Sequence, residues 1–528
     1  MSEPRVATFE ERPVDRARGR EVAINATAML ACVAAAKLLL QFAGIRHYGI
    51  FRDELYYLAC GEHLAWGYVD QPPLIAGAAW FARHALGGSL VAIRILPALA
   101  GALVVLLTGV LARELGGGRF AQFLASIAIL FAPAYLAFDS FLSMNAFEPL
   151  LWLLCAWIVV RIAKGGSAKW WLAFGAVAGV GLENKHTMLV FGLAIVGGLI
   201  LSGEWGVFRS KWIWIGGLIA LALFLPNLVW EARHGWPQVE VVRNAQLLKN
   251  IPISPLRFIG DQIAFLEPLS FPLWLAGLAW LLSAREAKQF RFLGWAYLIV
   301  MAIFICSHGK SYYALPAYTW LMAAGGVAIE RFSETRARLW LRVAFPVVLI
   351  LVGLVAAPFG VPVLPVDAFL RYARALPYSQ MAKTEKDALQ SELPQLYADM
   401  FGWDNMASTV AGVYHSLPAA EQAGCAILAG NYGEAGAIDY YGRALGLPKA
   451  IGGHNSYYYW GPRNYSGACV IVFGERSEDF IKLFGDVQLA ATIASPHAMP
   501  NEQSVPVYVC RKPRAPLSVL WPNFKMII

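Results

Sequence analysis

Charge is scarce in this chain. Of 528 residues, 43 are Lys or Arg and 35 are Asp or Glu, together 15%, while Ala, Val, Ile, Leu, Met, Phe, Trp, Tyr and Cys make up 58%. A soluble globular protein carries about 25% charged residues, so both a soluble fold and a disordered chain are disfavoured. Cysteine is sparse too: there are seven, and none forms a CxxC pair, which removes support for zinc-ribbon and thioredoxin-like readings. Cys32 and Cys155 lie in apolar runs, where Cys behaves as a small hydrophobe. Cys425, Cys469 and Cys510 share the C-terminal segment, and three thiols permit at most one bridge among themselves with one left over. Walker A, HExxH and GxSxG sequences are missing, so ATP-driven transport and zinc proteolysis lose their usual support. The segment from Gly430 to Gly436 is glycine-rich but lacks the GxGxxG spacing of a dinucleotide site. Sequence repeats, low-complexity tracts and long linkers are also missing.

What the chain has instead is a series of apolar runs of membrane-spanning length. The first, Val22 to Ile45, is too long for the 7–15-residue core of a signal peptide and lacks a clear cleavage site, so it reads as a retained transmembrane helix. Further runs cover about 91–112, 120–137, 146–163, 169–182, 187–202, 212–231, 265–283, 292–307, 313–329 and 339–357. The expected fold is therefore an all-α polytopic membrane protein of about eleven transmembrane helices. The fifth and sixth runs are short and suggest a tight hairpin with a polar tip at Glu183 to His186. Residues 363–528 mix apolar stretches, Ala426 to Ala429 and Cys469 to Phe473, with turn residues, and predict a small α/β domain.

Orientation follows from the basic residues. With the N-terminal segment 1–21 in the cytoplasm, the inward-facing segments hold nineteen of the 30 Lys and Arg before residue 362. An odd number of spans then places residues 363–528 outside, in the periplasm or extracellular space, and residues 22–360 in the cell inner (plasma) membrane. The net charge of +8 and pI near 9.0 thus report orientation and give no support for nucleic-acid binding. Lys37 lies within about 12 Å of the outer end of its helix at the 1.5 Å helical rise, where snorkelling to the headgroups suffices to explain it.

The few external charges fall in clusters. Residues 46–90 predict two short surface helices, around Glu54 to Ala65 and Leu74 to Leu86, separated by Pro72-Pro73, which fit a helix start. Just after the first span stands Phe51-Arg52-Asp53-Glu54-Leu55-Tyr56-Tyr57. Adjacent carboxylates there suit a general base or a cation site, and equally a helix N-terminus meeting its dipole. Asp70 precedes the double proline and has a structural explanation at the turn. Asp139, Asn145 and Glu148 mark the next external loop, and a carboxylate such as Glu148 entering an apolar helix needs a partner. Lys185 and His186 form the hairpin tip, and Lys310, Tyr312 and Tyr313 lie in the last short outer loop. Single interfacial lysines ordinarily snorkel, but two beside carboxylate clusters on one face also suit an anionic phosphate.

Taken together these residues resemble the PMT-type integral membrane glycosyltransferases of the GT-C class, which include protein O-mannosyltransferases and lipid A aminoarabinose transferases. The resemblance spans roughly residues 22–360 and rests on D-E-L-Y-Y at 53–57, W-G-Y-V-D-Q-P-P at 66–73, M-N-A-F-E-P at 144–149, N-K-H at 184–186 and G-K-S-Y-Y-A-L-P-A-Y at 309–318. The segments N-Y-G-E-A-G-A at 431–437, Y-Y-G at 440–442 and G-H-N-S-Y-Y-Y-W-G-P at 453–462 resemble the external domain of many bacterial members. The resemblance implies transfer of a sugar from a polyprenyl-phosphate donor, usually with inversion, to a hydroxyl of a lipid, glycan or protein at the outer face. It assigns Asp53 as the base and Glu54 as its assistant or an acceptor ligand. Lys185, Lys310, Tyr312 and Tyr313 would stabilise the leaving phosphate, with Asp70, Asp139, Asn145, Glu148 and His186 lining the substrate cavity. Gln71 stands where some relatives have Lys or His, which removes one cation. The expected partners are these substrates and membrane lipids, with no cofactor and no metal. The competing readings are a transporter or lipid flippase, which also carries intramembrane charges, and a non-catalytic assembly or sensor protein.

Overall fold

The structure, a computed structural model, describes residues 13–376 and 386–528, with side chains from Asn25 onward except that of Asp387. Arg5 and Arg12 of the expected inner arm lie outside the described residues.

Each of the eleven apolar runs forms helix. Among the described residues, six helical stretches are long and apolar enough to cross a membrane: Asn25–Gly44, Leu90–Glu114, Met144–Ala163, Lys211–Arg233, Lys288–Cys306 and Arg336–Phe359. A seventh is reached if Pro255–Phe265 and Pro268–Ser283, bent by 100°, form one broken span. The chain is a multi-pass membrane protein, with fewer full-length spans than the eleven expected. Length is the reason. Arg119–Phe131, Trp170–Asn184, Met188–Leu201 and Tyr318–Phe332 have 13, 15, 14 and 15 residues, roughly 20–23 Å of helix against a hydrocarbon core of roughly 30 Å. Proline sets two of these limits. Ala132, preceding Pro133, is extended and closes Arg119–Phe131, and Pro316 lies in a 3₁₀ stretch, Ser311–Ala317, ahead of Tyr318–Phe332.

Lys37 corrects one expectation. Its side chain does not snorkel outward; it is fully buried, with Nζ 2.8 Å from Asp139 Oδ2. Asp139 packs against Gly101, where a Cβ would stand 2.1 Å from that same oxygen, so the glycine makes room for the carboxylate. An ammonium with a carboxylate partner inside the bundle has no need to reach for headgroups.

Beyond the helices, the chain forms a five-stranded sheet. Its strands are β1 (Cys425–Ala429), β2 (Ile451–Gly452), β3 (Cys469–Phe473), β4 (Phe484–Ala494) and β5 (Ser504–Pro513). The order is β2-β1-β3-β5-β4, with β1 parallel to β2 and β3, and β5 antiparallel to β3 and β4. Both apolar stretches singled out in the sequence become buried strands. Cys425 and Cys469 are register partners and form a disulfide. Cys510 pairs with Val470, on the other face of β3. Iodoacetamide should therefore label five cysteines of the denatured, unreduced chain and seven after reduction, counted by mass spectrometry.

This sheet and the two short helices Arg52–Glu62 and Leu74–His84 share one core. Leu55, Tyr56 and Ile75 from Arg52–Glu62 and Leu74–His84 pack in the same apolar cluster as Trp403, Ile427, Ile438 and Ile471. Burial of a large aliphatic side chain contributes about 1.5–3 kcal/mol, so the two parts hold each other in a fixed relation.

Candidate functional site

The helix Arg52–Glu62 begins with Asp53 and Glu54 in its first turn, where carboxylates meet the positive end of the dipole. The two then part. Glu54 turns inward and is fully buried, with Arg94 Nη2 at 2.8 Å and Nε at 3.1 Å from its oxygens. It also accepts from the backbone N–H of Phe51 (2.9 Å) and of Leu142 (2.8 Å). Arg94 in turn donates to the carbonyls of Gly49 (2.7 Å) and Ile45 (3.3 Å). Glu54 thus ties the start of its helix to three other segments.

Asp53 turns the other way and lines a cavity of about 510 Å³. Its side chain is 30% exposed, and Oδ1 accepts from the Tyr432 hydroxyl at 2.9 Å, with Arg52 Nε 3.8 Å away. Asp70 and Tyr57 line the same cavity, and Tyr57 lies close enough to both carboxylates to feel their charge. Asp70 accepts from the Tyr56 hydroxyl at 2.8 Å. Burial pushes its pKa up to about 6; the Tyr56 bond opposes this and the charge of Asp53 adds to it. Tyr57 is pushed well above the usual phenol range by burial, then by the charges of Asp53 and Asp70, so it stays protonated.

The rest of the cavity is cationic and aromatic. Lys185, His186, Lys310, Tyr312, Tyr313 and Asn145 line it. Lys185 leaves the end of Trp170–Asn184 in an extended conformation. It donates to Asn145 Oδ1 (2.7 Å) and Glu148 Oε2 (2.8 Å), and its Nζ stands 4.6 Å from the centre of the Tyr313 ring. Thr187 donates to the other oxygen of Glu148. Lys310 stands over Tyr312, 6.0 Å from its ring centre. The loop behind it is held by Ser311, which donates to Asp261 at 2.7 Å, and by Gln262, which donates to the Ser311 carbonyl at 2.8 Å. Burial lowers the His186 pKa, so its ring is neutral; Nε2 lies 3.1 Å from Asn227 Oδ1. Asn227, on the helix Lys211–Arg233, donates onward to the Trp66 carbonyl at 2.9 Å, joining the Lys185–His186 turn to the segment after Arg52–Glu62.

Of the residues singled out in the sequence, Asp53, Asp70, Asn145, Lys185, His186, Lys310, Tyr312 and Tyr313 meet at this one cavity. Glu54, Asp139 and Glu148 do not line it. Each pairs with a cation beside it: Arg94, Lys37 and Lys185. Sequence reasoning missed Lys249 and Tyr432, both of which line the cavity. Lys249 ends the helical turn Ala245–Lys249 that continues Pro237–Asn244, in a proline-bearing segment with no motif around it. Tyr432 stands in the quoted N-Y-G-E segment, and only the fold brings it to Asp53.

Comparison with known proteins agrees with this picture. Residues 70–230 match the family described as dolichyl-phosphate-mannose-protein mannosyltransferase. No curated protein matches the chain in sequence. Crystal structures of ArnT from Cupriavidus metallidurans, in the apo state and bound to undecaprenyl phosphate, each superpose with a TM-score of 0.61. Each covers 92% of this chain and 98% of its own at 15% identity. At that identity the likeness is one of fold. The PMT-type resemblance is borne out by the family match over residues 70–230, and the ArnT likeness bears out the fold.

Proposed function

We propose that this chain is an integral membrane glycosyltransferase that moves a sugar from a polyprenyl-phosphate donor to a hydroxyl acceptor at the outer face of the membrane. The observation that carries the reading is one cavity lined both by the carboxylates Asp53 and Asp70 and by Lys310, Tyr312 and Tyr313. The similar fold of ArnT, which has been crystallised with undecaprenyl phosphate, supports the lipid-linked donor. In the proposed reaction Asp53 takes the acceptor's hydroxyl proton as that oxygen attacks the anomeric carbon. The bond from that carbon to the phosphate oxygen breaks, and the polyprenyl phosphate leaves with the electron pair. A single displacement inverts the anomeric centre. Lys310 is assigned to the developing phosphate charge. Lys185, engaged by Glu148 and Asn145, holds the Tyr313 side of the pocket.

In this reading residues 1–21 are cytoplasmic, 22–360 form the membrane domain of eleven helical passes, and 363–528 form an external domain. The Cys425–Cys469 disulfide supports that placement, because such bonds persist in oxidising compartments. Reporter fusions after residues 165 and 400 should report opposite sides; the same side for both contradicts the topology.

The test of function is mass spectrometry of envelope glycolipids from cells with and without the protein, followed by assay of the purified chain in nanodiscs with undecaprenyl-phosphate sugars. Release of undecaprenyl phosphate together with a glycosylated product is the expected result. Movement of the intact lipid across the bilayer without release would favour a flippase. Lys310→Ala should lower kcat/KM for the donor roughly 10- to 100-fold, the worth of a hydrogen bond to a charged group, with the thermal midpoint unchanged. Unaltered kinetics would remove Lys310 from the site.

A further inference from the structure

We infer that Tyr432, supplied by the C-terminal domain, is a positioning residue that orients the Asp53 carboxylate, so that the membrane-embedded site is incomplete without that domain. The inference rests on the proposed role of Asp53 but stands on its own geometry. Tyr432 donates to Asp53 Oδ1 at 2.9 Å across 379 residues of sequence. That leaves Oδ2 as the oxygen to meet an acceptor hydroxyl. Both residues line the cavity.

The ring of Tyr432 is held on two sides. It stacks on Tyr56 at 4.7 Å between centres and lies tilted against His454 at 4.6 Å. Its backbone N–H donates to His454 Nδ1 at 3.3 Å. Tyr432 also opens the helix Tyr432–Tyr441, whose start is fixed by a reciprocal cap. The Asn431 side chain accepts from the N–H groups of Gly433 and Glu434, while Glu434 accepts from the N–H groups of Gly430 and Asn431.

Two glycines let this helix reach the helix carrying Asp53. A Cβ on Gly433 would stand 2.5 Å from Arg52 Cγ, and one on Gly436 would stand 2.8 Å from Leu55 Cβ. The spacing of three residues puts both on the face that meets Arg52–Glu62. A single added methyl group would separate the helices and draw the Tyr432 hydroxyl away. The close approach is thus built around the Tyr432–Asp53 contact.

The test uses the full chain in nanodiscs and two readouts. A hydrophobic carbodiimide modifies protonated carboxyl groups, and labelling of Asp53 at pH 6 is read by peptide mass spectrometry. Tyr432→Phe removes only the donor, so Asp53 labelling should rise threefold or more, while Tyr440→Phe on the same helix leaves it unchanged. Gly436→Ala should raise it in the same direction without touching the phenol. In transfer from undecaprenyl-phosphate sugar, Tyr432→Phe should lower kcat roughly 10- to 100-fold with KM unchanged, and should have no further effect in an Asp53→Asn background. Equal labelling of Asp53 in wild type and Tyr432→Phe overturns the inference, whatever the activity. Full transfer by Asp53→Asn sinks the base assignment instead, and the labelling result still decides the contact.

Discussion

Asp53→Asn should lower the turnover of sugar transfer by about 10²–10⁴-fold, the usual contribution of a general base, while donor affinity and thermal stability stay close to wild type. The amide matches the carboxylate in volume, and its oxygen can still accept from the Tyr432 hydroxyl. It cannot take a proton. Asp53 is 30% exposed at the cavity and already sits in a favourable helix N-terminus, so the loss of charge disturbs chemistry far more than folding. Asp70→Asn is the necessary comparison, because Asp70 lines the same cavity and feels the charge of Asp53. Its carboxylate is held by Tyr56 and burial raises its pKa to about 6. If Asp53 is the base, Asp70→Asn is the milder lesion and acts on KM. The reverse order of severity, measured as initial rates of undecaprenyl phosphate release, moves the base to Asp70. Full turnover by Asp53→Asn removes the base assignment and leaves the fold likeness to ArnT intact.

The site was legible in the sequence where chemistry and position coincide. The clusters around Asp53, Asp70, Lys185 and Lys310 all fall between apolar runs, where a charge needs no partner inside the bundle, and they line one cavity. What the sequence left open is which charge faces the cavity. Asp53 and Glu54 are neighbours, yet successive positions on a helix point about 100° apart. Glu54 finds Arg94 forty positions on and Lys37 finds Asp139 across the bundle, partners that no local pattern reveals. Lys37 therefore looked like a snorkelling residue and proves to be an inward ion pair. The helices were legible for the same reason in reverse: an apolar run fixes a helix by its own composition, and all eleven form. Their lengths depend on where Pro133 and Pro316 interrupt them and on packing with neighbouring helices, so only some have the full length of a straight span. Tyr432 shows the limit most plainly. Its local sequence is a glycine-rich stretch without a nucleotide-binding spacing, and only the core shared by the sheet and the helices Arg52–Glu62 and Leu74–His84 carries its hydroxyl to Asp53.

Arg94→Leu should destabilise the protein by roughly 3–5 kcal/mol, the largest stability effect expected of any single change here. Removing the guanidinium leaves the Glu54 carboxylate charged and fully buried, and strips the Ile45 and Gly49 carbonyls of their donor. Glu54→Gln should cost a similar amount, since it strands the positive charge of Arg94 instead. The double change Glu54→Leu with Arg94→Leu removes both charges, and the two penalties should not add; part of the lost stability should return. Thermal midpoints in nanodiscs measure the cycle. The same variants separate two roles for Glu54. If it assists the reaction directly, Glu54→Gln loses turnover at temperatures where the protein remains folded, while the Arg94 variant keeps turnover in its folded fraction. If it holds Asp53 in place, all three variants lose turnover in step with the disturbed helix start, because the cap at Phe51, the contact to Leu142 and the Arg94 pair converge on the single residue beside the proposed base.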